Sequence, residues 1–303
     1  MNIVETIPIP ISGLILALFS LGNLVQDINP YLRYLFGTIA FIFLILIVLK
    51  VVFYPKKVRD DLKNQVILSS SGTFSMSLML SSTYIQPYMP DVACALWIIG
   101  ICLHILLMIC FTYRFIIRDF DINMVYPSYW IVYVGITMAA ITGHVYGLDW
   151  MDFLFFAIGF TSMLITTPLI FYRYIRHPNR IDANKPLICI FTALFSILIV
   201  GYVNSAPYLH YGFLMTLYTL ACIFYIFAFY KFIDYRNLEF YPSFSAFTFP
   251  FVISALATKE IVKISSNIVF TGILRIETVI ALILVIYVLV RYAIFLKNSV
   301  SRN

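Results

Sequence analysis

The chain alternates between long apolar runs and short polar connections from end to end. Ten apolar segments can be read, over about 9–26, 33–54, 66–86, 92–117, 127–147, 150–175, 186–204, 208–232, 242–264 and 274–297. Most are close to the ~20 residues that a helix needs to cross a hydrocarbon core of ~30 Å. A transmembrane barrel would show ~10-residue stretches of strict alternation instead. Prolines mark many connections, including Pro30, Pro55, Pro90, Pro127, Pro178, Pro186, Pro207 and Pro242. The pattern predicts an all-α membrane protein of ten transmembrane helices, forming one domain over residues 1–303.

The segments also alternate in texture. Even-numbered ones are bulky, as in Phe41–Val52 (FIFLILIVLKVV) and Ile280–Val290 (IALILVIYVLV). Odd-numbered ones carry small and hydroxyl residues; segment 3 alone holds Ser69, Ser70, Ser71, Ser75, Ser77, Ser81 and Ser82. Small residues let helices approach closely, but so many hydroxyls suggest a polar path. The expectation is therefore an inner ring of odd helices around a pore, with even helices facing lipid. Candidate lining residues are Gly13, Ser20, Ser71, Ser75, Gly135, Ser196, Ser245 and Val252.

Composition agrees with a lipid-embedded chain: 62% of residues are hydrophobic and 11% charged, against roughly 25% charged in soluble domains. Sixteen of the twenty Lys and Arg fall in the connections after segments 2, 4, 6 and 8 and in the tail. Arg33, Lys259, Lys263 and Arg275 sit on the other side. The positive-inside rule then places both termini in the cytoplasm of a multi-pass protein in a plasma or inner membrane. The positive charge is spread over loop ends rather than gathered in a patch, so nucleic acid is not an expected partner.

Chemistry is sparse. Walker, dinucleotide-binding, HExxH and CxxC motifs are all missing from the sequence, so neither enzyme activity nor a bound cofactor or metal is expected. The five cysteines lie inside apolar runs and read as small buried hydrophobes. His104, among aliphatics in segment 4, reads as a hydrogen-bonded structural residue. The first apolar run lacks the basic flank of a cleavable signal. No Asp or Glu lies in the central turns of an odd segment. Cation pathways and proton pumps keep such carboxylates, so the expected cargo is a small anion.

Three stretches carry a resemblance: Pro8–Asn23 (PIPISGLILALFSLGN), Pro127–Ile136 (PSYWIVYVGI) and Phe244–Ala257 (FSAFTFPFVISALA). Together they resemble the tellurite-resistance/dicarboxylate transporter family. That family includes TehA-type bacterial proteins, plant slow anion channels, and fungal malate and sulfite transporters. The resemblance covers essentially the whole chain. It implies five helical hairpins about a pseudo-fivefold axis, a central pore lined by odd helices, and homotrimers with one pore per protomer. It also implies a phenylalanine on the ninth helix that occludes the pore, which matches Phe249 here. Pro250 follows where some bacterial relatives carry glycine, and is expected to kink segment 9 by removing the amide that would bond Ala246. Helical spacing independently sets Phe249 on one face, with Ser245, Ala246 and Val252, and turns Phe247 and Phe251 away. The implied activity is an anion channel or channel-like transporter. The alternative is a secondary carrier for a C4-dicarboxylate or sulfite, with or without proton coupling.

Overall fold

Capping and proline residues fix where the helices start. Asn29 precedes Pro30, and its Oδ1 accepts from the Tyr31 amide at 2.9 Å, so segment 2 opens as a capped helix, Pro30–Phe53. Asn64 does the same for segment 3, accepting from Val66 and Ile67. The computed structural model describes residues 3–178 and 181–301; Arg180 and Arg302, two of the cations counted above, lie outside the described residues. No strand occurs among the described residues.

Seven segments contain a helical stretch long and apolar enough to cross a membrane. Segments 1, 3 and 5 do not, because their helices are shorter or interrupted. Segment 1 is a 3-10 turn, Ile9–Ile11, running into the helix Ser12–Val25. Segment 3 divides into Gln65–Ser70 and Gly72–Ile85. Segment 5 divides into Ser128–Tyr133 and Thr137–Gly143. Segments 7 and 9 change type as well: the tight turns Asp182–Ile190 and Pro242–Phe247 precede the helices Phe191–Ser205 and Phe249–Ser265. Every odd segment therefore alters its helical geometry part-way.

Each odd segment packs against the even one that follows it, giving five hairpins. The odd segments also pack in a closed ring, in the order 1, 3, 5, 7, 9 and back to 1. Burial follows this plan. In the most apolar windows of segments 7 and 9, 94% and 78% of residues are buried, against 28–33% in the even segments. The even helices present Ile45, Val48, Leu106, Ile226 and Ile283 outward. In water such a surface would be prohibitive, and in lipid it is the required one.

Close approach within the ring depends on glycine. Thr137, fully buried at the break in segment 5, projects its hydroxyl at Gly159 of segment 6 and its methyl at Gly201 of segment 7. Tyr84 of segment 3 lies across Gly22 and Gly37, and its hydroxyl donates to the Phe19 carbonyl at 2.6 Å. Lys50, counted above with the cytoplasmic cations, is buried; its Nζ donates to the Ile7 carbonyl at 2.7 Å and pairs with Asp61 at 3.0 Å.

Two readings of isolated side chains meet different outcomes. His104 is fully buried, with Nδ1 2.7 Å from Ser75 Oγ and Nε2 3.1 Å from the Val132 carbonyl. A carbonyl only accepts, so Nε2 carries the proton and Nδ1 takes one from Ser75; the histidine is structural. The cysteines are not uniformly buried. Cys102 and Cys110 lie exposed on segment 4, because their positions fall on its outward face.

Candidate functional site

The serines of segment 3 do not line a polar path as a group. Ser69, Ser71, Ser77, Ser81 and Ser82 each donate to a carbonyl three or four residues back. Their hydrogens are therefore engaged within the helix, a pattern that bends helices rather than wetting a channel. Ser71 and Ser75 face outward, toward segments 2 and 4. Ser70, Thr73 and Met76, on the opposite face of segment 3, face the ring axis instead.

A narrow cavity of about 50 Å³ lies inside the ring. Its lining comes from all five odd segments, and in each from residues next to the change in helical geometry: Gly13, Ser70, Gly135, Ile190 and Ser245 with Phe249. At roughly 10–15 Å³ per water, it holds about four water-sized particles. Non-helical backbone at membrane depth is tolerated only where protein or a wet cavity satisfies it. Five breaks converging on one cavity are what a path through the ring requires.

Phe249 opens the second part of segment 9, and its side chain lines this cavity. The break falls at Thr248, with φ −110° and ψ −84°, one residue ahead of Phe249. Pro250 is then the second residue of the new helix, where an amide would have no helical partner. The interruption lies within the turn ahead of Pro250, the stretch that a proline's missing amide and its ring disturb. The Thr248 hydroxyl lies 2.6 Å from the Ser245 carbonyl and 3.4 Å from that of Gly13, bridging segments 9 and 1. Phe247 and Phe251 point outward, with Phe247 against Phe232 at 5.2 Å and Phe251 against Tyr225 at 5.4 Å between ring centres.

A second, wider cavity of about 380 Å³ opens on the same axis, roughly one helical turn further on. Met76 gives way to Leu80, Gly135 to Met138, Ile197 to Val200, and Phe249 to Ile253. This vestibule is polar. Asn23, Gln26, Gln86 and Asn204 line it, together with His144, Glu260 and the cations Arg33, Lys259 and Lys263. Of the residues expected to line a pore, Gly13, Gly135 and Ser245 border the inner cavity and Ser20 the vestibule. Ser196 and Val252 are buried in helix contacts and border neither, Ser196 donating to the Thr192 carbonyl at 2.8 Å.

Two buried acids, Asp152 on segment 6 and Glu277, escape a search confined to odd segments. Glu277, on segment 10, is 4% exposed and accepts from Thr258 at 2.5 Å and Ser254 at 3.4 Å on the back of segment 9. It borders neither cavity. A single carboxylate inside an otherwise apolar run is the signal that would have found it.

The family described as voltage-dependent anion channel (SLAC1) matches residues 7–293. The chain belongs to that family. No characterised protein matches the chain closely enough to be compared with it. As a SLAC1-family protein it is an integral, multi-pass anion channel or transporter, a class distinct from enzymes. The tellurite-resistance/dicarboxylate resemblance points to the same family.

Proposed function

We propose that this SLAC1-family chain passes small anions down their gradient along the ring axis, with Phe249 as the pore gate. The observation that carries this reading is the inner cavity. It joins five helix breaks, is too narrow for more than a few waters, and has the Phe249 ring in its wall. An ion entering such an apolar constriction loses hydration that the walls do not replace, which is gating by dewetting. The vestibule cations favour anions over cations at the entrance.

The alternative carrier of C4-dicarboxylate or sulfite draws support from Glu277, a buried group able to hold a proton. Its absence from the lining of both cavities and the small inner volume favour a small-anion path instead. Purified protein in planar bilayers under a salt gradient decides the matter. The expected result is unitary current reversing near the anion equilibrium potential. Reversal near the cation potential would sink the anion reading, and saturating proton-dependent flux without unitary current would establish the carrier.

The charge bias supports an orientation with both termini cytoplasmic, so the vestibule faces away from the cytoplasm. Family membership supports a homotrimer with one path per protomer. Native mass spectrometry from mild detergent should show a trimer; a mass stopping at dimer would reject it.

A further inference from the structure

Three cations line the vestibule, but their surroundings differ. Lys259 is paired with Asp27 at 2.7 Å, and Lys263 with Glu260 at 2.7 Å. At any distance beyond the pair itself, each of those fields is largely cancelled. Among the described residues, Arg33 is held only by neutral groups. Its Nη1 donates to Gln26 Oε1 at 2.9 Å, its Nη2 to the Thr83 carbonyl at 3.1 Å, and its guanidinium lies 4.5 Å from the centre of the Tyr84 ring. Dipoles and a ring fix a charge in place without neutralising it.

The site is built, not incidental. Arg33 comes from segment 2, whose helix otherwise faces lipid, yet its head reaches over the ring. Tyr84 makes that possible: it is wedged into the space left by Gly22 and Gly37 and anchored to the Phe19 carbonyl. A guanidinium has five N–H donors, and the two bonds above leave donors free for a ligand.

We infer that Arg33 forms an anion-binding site at the vestibule, which captures a small inorganic anion such as chloride or nitrate before it enters the inner cavity. The inference rests on the anion-path reading. A unit charge about 7 Å away across water concentrates a monovalent anion roughly threefold, and salt screens this, with a Debye length of ~10 Å at 0.1 M and ~3 Å at 1 M. The charge of Arg33 should therefore govern flux at low salt and matter little at high salt.

The test is chloride and nitrate flux in proteoliposomes at about 10 mM and about 1 M salt. Wild-type flux tests the anion path itself; the ratios of variants to wild type test Arg33. Arg33→Gln should lose about threefold at low salt and nothing at high salt, and Arg33→Lys should stay near wild type at both. Arg275→Gln removes the same charge at the same end of the bundle, from an exposed position outside the vestibule, and should leave flux unchanged. Should Arg33→Gln fold poorly, Arg33→Cys in a cysteine-free background can be charged after assembly; a cationic thiol reagent should raise low-salt flux and an anionic one lower it. Wild-type flux in Arg33→Gln at low salt overturns the inference. So does an equal loss in Arg275→Gln, which would make net charge the cause, or a loss that persists at high salt and in Arg33→Lys, which would make Arg33 a packing clamp.

Discussion

Phe249→Ala should raise anion flux by about tenfold or more while the protein stays folded. The ring lines a cavity of about 50 Å³, so truncation enlarges that space at the point where an anion is least hydrated. Lowering the barrier there by about 1.4 kcal/mol is already a tenfold change in rate. Stability should respond in the opposite order. Phe247 and Phe251 are fully buried among aromatic neighbours of segments 8 and 9, and truncating such a ring typically costs about 3–5 kcal/mol in a soluble core. Phe249 borders a void, so fewer contacts are lost with it. Flux and thermal unfolding of the three alanine variants should therefore separate them: Phe249→Ala fast and stable, the other two slow and destabilised. Unchanged conductance in well-folded Phe249→Ala protein would leave this ring as packing and place the barrier elsewhere.

The bundle was legible because lipid imposes strong rules. Apolar length marked the ten segments, and texture separated ring from rim: small residues in the odd segments, bulky ones in the even. Loop charge proposes the sidedness. The side of a helix that faces the axis was harder to read. The helical wheel of segment 9 placed Ser245, Ala246, Val252 and Phe249 on one face, and all but Val252 line the inner wall although a break falls between them. In segment 3 texture alone chose no face: Ser70 and Thr73 line the inner cavity, whereas Ser71 and Ser75 face segments 2 and 4. Hydroxyl content misled for a related reason: a serine in a helix can satisfy itself on the preceding turn, so seven serines in one segment need not make a polar surface. Arg33 was visible as one of four cations on the sparsely charged side, but its lack of a carboxylate partner exists only in three dimensions.

Gly201→Ala should destabilise the ring, and Thr137→Ser should rescue it. A Cβ on Gly201 would lie 2.3 Å from Thr137 Cγ2, while Thr137 Oγ1 is directed at Gly159 on the other side. A β-branched side chain has few alternative rotamers, and both of these directions are already occupied by close helix backbones. The added methyl must therefore push segment 7 from segment 5, at an overpacking cost of about 1–3 kcal/mol. Thr137→Ser removes the opposing methyl and keeps the hydroxyl. Alone it leaves a small hole worth about 1 kcal/mol. In the double variant the methyl has moved across the interface from residue 137 to residue 201, and total volume is conserved. Unfolding of the purified protein in detergent should show both single variants melting below wild type and the double variant near it, with a coupling within the 0.5–3 kcal/mol seen for contacting pairs. Additive losses would mean that the two segments already separate without strain at this contact. Because Thr137 directly follows the break at Val134–Ile136, of which Val134 and Gly135 border the inner cavity, Gly201→Ala should also alter anion flux, and the double variant should restore both properties together.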